Sequence, residues 1–320
     1  MGKGFRAADG LTDQDLGTLV EAACLRAGLT AKVHILLNDS GATLISQTYT
    51  HPSTRFGLIL GTGVNVAGYL PTHLISKDKF GQRPEGWLEE AHSVIVNAEL
   101  SMFGHGILPR TRWDAKLSSS LPRPEFQPLE TMVSGMYLGE IARLVLVDAI
   151  EATGLFGGAT PKAFQQPYSL GTEVLSMIEE NDFTMFETAL AGSSAYTMTV
   201  PDRSFLRSLA GVISQRSAAI VAVSIHAMWE LRQEALEEQT VAPYWTGKAD
   251  LELEQTIVAF TGSVIESYPG YLDKCQRLVD DLVADGSGDQ VDRSRRVHFV
   301  PAKESSLLGA GVALAATIEN

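Results

Sequence analysis

Two apolar runs that stop abruptly at small polar residues constrain this chain more than any other feature. Val33-His34-Ile35-Leu36-Leu37 ends in Asn38-Asp39-Ser40-Gly41, and Gly57-Leu58-Ile59-Leu60 ends in Gly61-Thr62-Gly63-Val64-Asn65. A run of leucine and β-branched residues closed off in this way reads as a buried strand that delivers a polar tip. The first tip offers an amide beside a carboxylate. The second offers a hydroxyl between glycines, whose backbone N–H groups can approach a phosphate closely. Both tips can face one cleft, and together they make a vocabulary suited to sugar and phosphate.

The rest of the chain sets bounds on that reading. Its 320 residues, 45% of them hydrophobic, suffice for about two domains of ~150 residues. A formal net charge of -13 disfavours nucleic acid and anionic membrane as partners. The two cysteines, Cys24 and Cys275, have neither metal spacing nor a disulfide framework, which points to a reducing compartment. The N-terminal residues lack an apolar signal core, and no uninterrupted apolar run of about 18 residues occurs, so a soluble cytoplasmic protein is expected.

In chain order, Thr12 with Asp15 marks the start of a helix whose apolar residues, from Leu16 to Ala27, bury one face before Gly28 stops it. Strands are expected over Lys32–Leu37, Arg55–Leu60 and Val66–Leu70, and another ends at Glu99. A long helix is expected over 128–155 with Glu130 in its first turn, shorter ones over 171–180 and 183–191, and the longest over 204–236. The last quarter repeats the opening pattern: a strand over Thr256–Phe260, the turn Thr261-Gly262-Ser263, a helix over 270–284, a strand over 297–301 and a helix over 306–318. Asp285–Asp289 reads as a loop tolerant of insertion. Strands alternating with helices indicate an α/β fold with ligands bound at strand ends. None of the seven histidines has metal spacing; His34 and His226 sit in apolar runs and read as core residues.

Several segments resemble one family in order and spacing. They are Leu36–Ser40, Leu60–Asn65, Leu108–Asp114, Pro122–Pro124 and Glu130–Glu140, and the pattern is that of eukaryotic hexokinases of fungal type. The resemblance covers essentially the whole chain, but only about the last two-thirds of the family's catalytic unit. It implies an actin-like ATPase (ribonuclease H-like) fold. Residues 1–37 would be a remnant of the small lobe, 38–301 the large lobe, and 302–320 a loop and helix returning toward the small lobe. It further implies transfer of the γ-phosphoryl of ATP, with Mg²⁺, to the 6-hydroxyl of a hexose such as glucose.

By the same resemblance Asp39 is the base, and Lys3, Asn38, Asn65, Glu99 and Glu130 hold the sugar. Gly61, Thr62 and Gly63 form a phosphate loop, and Gly262, Ser263 and Gly309 are nucleotide contacts. The residue types suit the task, because carboxylates accept from hydroxyls while amides donate and accept. Each position also has a plainer reading: Asp39 as a turn or cap residue, Gly61–Gly63 as a hairpin turn, Glu130 as a helix-start carboxylate, Asn65 as turn chemistry.

Departures from the family pattern concentrate on the nucleotide side. The upstream phosphate loop is missing. Thr261 stands where the family has aspartate, and Glu304-Ser305-Ser306-Leu307 where it has a glycine-rich turn. These changes keep open a second reading, a noncatalytic hexose-binding regulator. With the small lobe incomplete, the strand expected over 32–37 would be left as an exposed apolar edge.

Overall fold

The computed structural model describes residues 14–191, 196–240, 255–286 and 296–318. The core is a five-stranded sheet in the order β3-β2-β1-β4-β5, built from β1 (Thr54–Leu60), β2 (Val64–Pro71), β3 (Ser93–Asn97), β4 (Gln255–Thr261) and β5 (Arg296–Pro301). The first three strands run antiparallel as a meander, while β4 pairs parallel with both β1 and β5. The mixed sheet has a simple origin. The three-residue turn Gly61–Gly63 joins β1 to β2 directly, whereas β4 reaches β1 only after the helical crossover that parallel pairing requires.

In chain order the α-helices are α1 (Leu16–Arg26), α2 (Asp39–Thr48), α3 (Trp87–Glu90), α4 (Arg112–Ser120), α5 (Pro128–Val133), α6 (Gly135–Thr153), α7 (Thr172–Glu179) and α8 (Thr184–Ala191). They continue with α9 (Val200–Thr240), α10 (Ser263–Ser267), α11 (Tyr271–Gly286) and α12 (Ser305–Ile318).

The central strand β1 is covered on both faces. Phe56, Leu58 and Leu60 are fully buried and, two residues apart, share one face. On that side the face meets α9, whose Met228 closes on Gly68 beside Phe56. On the other side α2 lies against β1, and α12 packs over α2. Both contacts are made through glycine. A Cβ on Gly57 would stand 2.3 Å from the Ser40 carbonyl oxygen, and one on Gly309 would stand 2.1 Å from that of Ala42. The first turn of α2 is therefore clamped from both sides by backbone that no side chain keeps away.

Several expectations are corrected. Residues 32–37 form no ladder; Val33, Ile35 and Leu37 are half-buried and alternate with exposed neighbours, so the pattern of a strand persists without a partner strand among the described residues. α1 begins at Leu16, capped by Asp15, which accepts from the Thr18 N–H at 2.7 Å, while Thr12 lies outside the described residues. Its apolar face is largely exposed, with Leu16 and Leu25 at 55% and 73%, because the packed elements do not reach it. His34 is exposed rather than a core residue. His226 is buried, its Nδ1 3.5 Å from Glu230. The strand expected to end at Glu99 stops at Asn97.

The helix expected over 128–155 breaks at Ser134, where the chain turns extended (φ -88°, ψ 152°) and the Gly135 N–H donates to the Gly61 carbonyl at 2.8 Å. The longest helix starts at Val200, four residues early, because Thr199 and Asp202 exchange hydrogen bonds across its first turn. This helix is long and apolar enough to cross a membrane by length and composition. In this fold it is a core helix, with Leu206, Ala210, Val221, Ala222 and Ile225 buried. The loop expected at 285–289 lies mostly outside the described residues.

A buried ion pair ties α4 to α9: Arg216 donates from Nη1 and Nη2 to Asp114 at 2.8 and 3.0 Å. Burial opposes ionisation of Asp114, but hydrogen bonds from Arg216 and Thr111 and the Arg216 charge outweigh it, leaving its pKa below the ordinary value. A carboxylate depressed in the folded state stabilises fully above its unfolded value of about 4, and that contribution is lost as pH falls through the lower native value. The stability advantage of the unsubstituted chain over Asp114→Asn is therefore expected to be largest near neutrality and to shrink below about pH 4, measured by urea unfolding across pH.

Candidate functional site

The cleft forms where the polar tips of α2, the β1–β2 turn, the end of β3 and α5 meet. Asn38 is the N-cap of α2, its Oδ1 accepting from the Ser40 N–H at 2.9 Å and the Ser40 hydroxyl at 2.7 Å. Asp39 follows as the first helical residue and is exposed; its Oδ1 accepts from the Ser40 N–H at 2.8 Å. Among the described residues no donor engages its Oδ2. This exposed carboxylate lies at a helix start, among N–H groups without intrahelical partners.

Asn65 is the hub of the polar network. Its Oδ1 accepts from the N–H groups of Val66 (2.8 Å) and Leu100 (3.2 Å), and its Nδ2 donates to Asn97 (2.7 Å) and, more weakly, to Asn38 (3.4 Å). Both donors and both lone pairs are thus in use. Asn97 donates in turn to Glu99 Oε1 at 2.6 Å. Glu99 lies in the left-handed region at φ 50° and is exposed, with no donor to its Oε2 among the described residues.

Glu130, 8% exposed on the first turn of α5, accepts from the Val64 N–H at 3.2 Å. Its Oε2 would stand 2.8 Å from a Cβ on Gly63, so any larger residue in the turn would push against this carboxylate.

The glycine turn also touches the start of α10. A Cβ on Gly262 would come within 2.3 Å of the Leu60 carbonyl oxygen, and one on Gly61 within 3.3 Å of the Ser263 nitrogen. Thr62 is exposed at the tip of the turn. Thr62 and Ser263 line a cavity of about 400 Å³ with Gly135, Met136, Thr172 and Tyr268. It adjoins a second of about 490 Å³, and the two share Ser176, Ser267 and Tyr268. The Tyr268 hydroxyl donates to Glu179, which also takes Lys274 at 2.9 Å. Burial first, and then the Glu179 charge, raise the Tyr268 pKa far above the ordinary phenol range, so the ring stays neutral.

The expected site residues therefore separate into three groups. Asn38, Asp39, Asn65, Glu99, Glu130, Gly61, Thr62, Gly63, Gly262 and Ser263 are brought together around the cleft. Lys3 lies outside the described residues. Gly309, expected as a nucleotide contact, is a correction: it is buried inside α12 against the Ala42 backbone behind α2, where it serves packing.

Sequence reasoning missed Asn97, Gly57 and Glu266. Glu266 accepts from the Gly262 N–H at 2.8 Å and the Thr261 hydroxyl at 2.7 Å. The signal for Asn97 was a polar residue closing the apolar burst 94–96, two positions before Glu99.

The residues present suit a nucleotide phosphate, since Gly61, Gly63 and Gly262 carry no side chains beside the exposed Thr62, leaving backbone N–H groups approachable. Among the described residues no group of three or more His, Cys, Asp or Glu is placed to hold a metal. A Mg²⁺ carried on substrate phosphates needs only one or two protein carboxylates.

The mixed five-stranded sheet, with a glycine turn between its first two strands and a carboxylate at the start of the helix beside them, is that of the actin-like α/β fold. The family is equally definite: the family model for hexokinase matches residues 55–316, and the chain belongs to that family. It is 30% identical over 326 residues to hexokinase-1 of Schizosaccharomyces pombe, covering 99% of this chain and 60% of the relative. It is 31% identical over 315 residues to hexokinase-2 of Candida albicans, covering 97% and 60%. A hexokinase from Schistosoma mansoni complexed with glucose shares the fold, with a TM-score of 0.78 over 98% of this chain and 65% of that one, at 24% identity. The chain spans about 60% of the length of the curated relatives it matches.

Proposed function

We propose that this chain phosphorylates the 6-hydroxyl of a hexose such as glucose, using MgATP. The observation that carries this reading is the cleft network, which leaves Asp39 Oδ2 and Glu99 Oε2 as acceptors, and Asn38 Nδ2 as a donor, without partners among the described residues. A polyhydroxylated ligand needs such a mixture of acceptors and donors on converging elements. Family membership supports the reaction class.

In the proposed reaction Asp39 accepts the proton of the 6-hydroxyl as its oxygen attacks the γ-phosphorus. The β–γ bridging bond breaks, and ADP leaves with that electron pair. Thr62 and the backbone N–H groups around it face the transferring phosphoryl, where pre-oriented donors stabilise developing charge. The adjoining cavities beside Thr62 and Ser263 take the rest of the nucleotide. Bound to the phosphates, Mg²⁺ would supply charge neutralisation, and the Thr62 hydroxyl and its flanking turn would help hold the phosphates that carry it. We read 38–301 as the sugar and nucleotide unit. Both cysteines are free thiols, Cys275 buried with its pKa pushed up to about 12, in keeping with a reducing cytoplasm.

One observation favours a second reading, that of a noncatalytic hexose-binding regulator. The Gly262 N–H, one of the donors a nucleotide would use, is taken by Glu266, and Thr261 beside it carries no charge. Glucose-dependent ADP formation from MgATP by the purified chain distinguishes the two. Turnover supports the kinase. Glucose binding without turnover favours the regulator, and neither one would sink both.

A further inference from the structure

The side-chain amide of Asn97 stands between Asn65 and Glu99, accepting from the first at 2.7 Å and donating to the second at 2.6 Å. The backbone sets the direction of this relay. The N–H groups of Val66 and Leu100 can only donate, so the Asn65 oxygen faces them and its amino group faces Asn97. Asn97 must then offer its oxygen to Asn65, which leaves its own amino group for Glu99. Reversing either amide would set oxygen against oxygen or donor against donor. Glu99 meanwhile sits on an exposed turn in a backbone region uncommon for residues with a Cβ. An unrestrained carboxylate there would have many rotamers open to it.

We propose that Asn97 is a positioning residue for hexose recognition, holding Glu99 by Oε1 so that Oε2 meets a sugar hydroxyl, and locking the Asn65 amide in one orientation. The proposal rests on the reading of this cleft as a hexose site. It assigns Asn97 no contact with the sugar.

Asn97→Asp keeps the shape and the acceptor for Asn65, but sets a second carboxylate against Glu99. Two carboxylates so close cannot both ionise without separating, whereas uptake of one proton restores a donor between them. Calorimetric titration of glucose into N97D is expected to show affinity about ten-fold weaker than the unsubstituted chain near pH 8 and recovery toward it near pH 5.5. Asn97→Ala, which removes both bonds and adds no charge, is expected to lose affinity by a similar factor at every pH.

Equal, pH-independent losses in the two variants would mean Asn97 is merely structural, and no loss in either would mean it is idle; both results overturn the proposal. If the unsubstituted chain binds no glucose at any pH, the hexose reading fails and side-chain amide NMR decides the relay separately. Glu99→Gln must then shift the Asn97 amide signals, and N97A those of Asn65. Unmoved signals would overturn the relay itself.

Discussion

Asp39→Asn is expected to lower glucose-dependent ADP formation by about 10²- to 10⁴-fold, the usual contribution of a positioned general base. The substitution is a fine instrument because the local structure tolerates it. Asparagine still offers an oxygen to the Ser40 N–H, which Asp39 Oδ1 now accepts at 2.8 Å, and it is an acceptable first-turn residue, so α2 has no reason to shift. What it cannot do is take a proton from the sugar. The loss should therefore appear in kcat, with glucose affinity changed by less than about ten-fold, since a group acting mainly in the transition state leaves ground-state binding nearly alone. A loss confined to KM would instead make Asp39 a binding residue.

The second large effect comes from a residue with no chemistry of its own. Gly57→Ala would place a methyl group 2.3 Å from the Ser40 carbonyl oxygen and 2.5 Å from the Leu44 nitrogen, both backbone atoms of α2. Backbone cannot rotate away as a flexible side chain can, and α12 bears on α2 from behind at Gly309, so the helix has little room to retreat. Overpacking of this kind costs about 3 kcal/mol, and any relief must move the turn that carries Asn38 and Asp39. G57A should thus lower the urea midpoint and weaken glucose binding together. Leu25→Ala is the matching control. Leu25 is 73% exposed on α1, and its loss should leave both quantities nearly unchanged.

The core strands were legible in the sequence because burial on both faces leaves a dense apolar run that ends sharply. Arg55–Leu60, Val66–Leu70, Thr256–Phe260 and 297–301 each fall within a residue or two of the observed strand. Asn38, Asp39, Asn65 and Glu99 stood out as polar residues closing apolar runs, Glu130 as a helix-start carboxylate, and family resemblance implied their roles. What escaped was tertiary in origin. The pattern over 32–37 reads as a strand, yet a ladder needs a neighbour, and neighbours are not written in a local window. The break at Ser134 answers to a bond from Gly135 to Gly61, more than seventy residues away in sequence. In sequence Gly309 reads as a nucleotide contact, because a glycine required by helix packing and one that leaves room for a ligand are the same letter. Asn97 carries no signature beyond polarity at a strand end, and its place in the network emerges only when β2 and β3 pair.

Every role proposed for these residues requires that the cleft, as folded here, holds a hexose. Calorimetric titration of glucose into the purified 320-residue chain, run beside Glu130→Ala, tests that claim directly. Saturable binding at one site, lost or severely weakened when the buried Glu130 carboxylate is removed, is the predicted result. Absence of binding by the unsubstituted chain, or binding that E130A leaves unchanged, would contradict it.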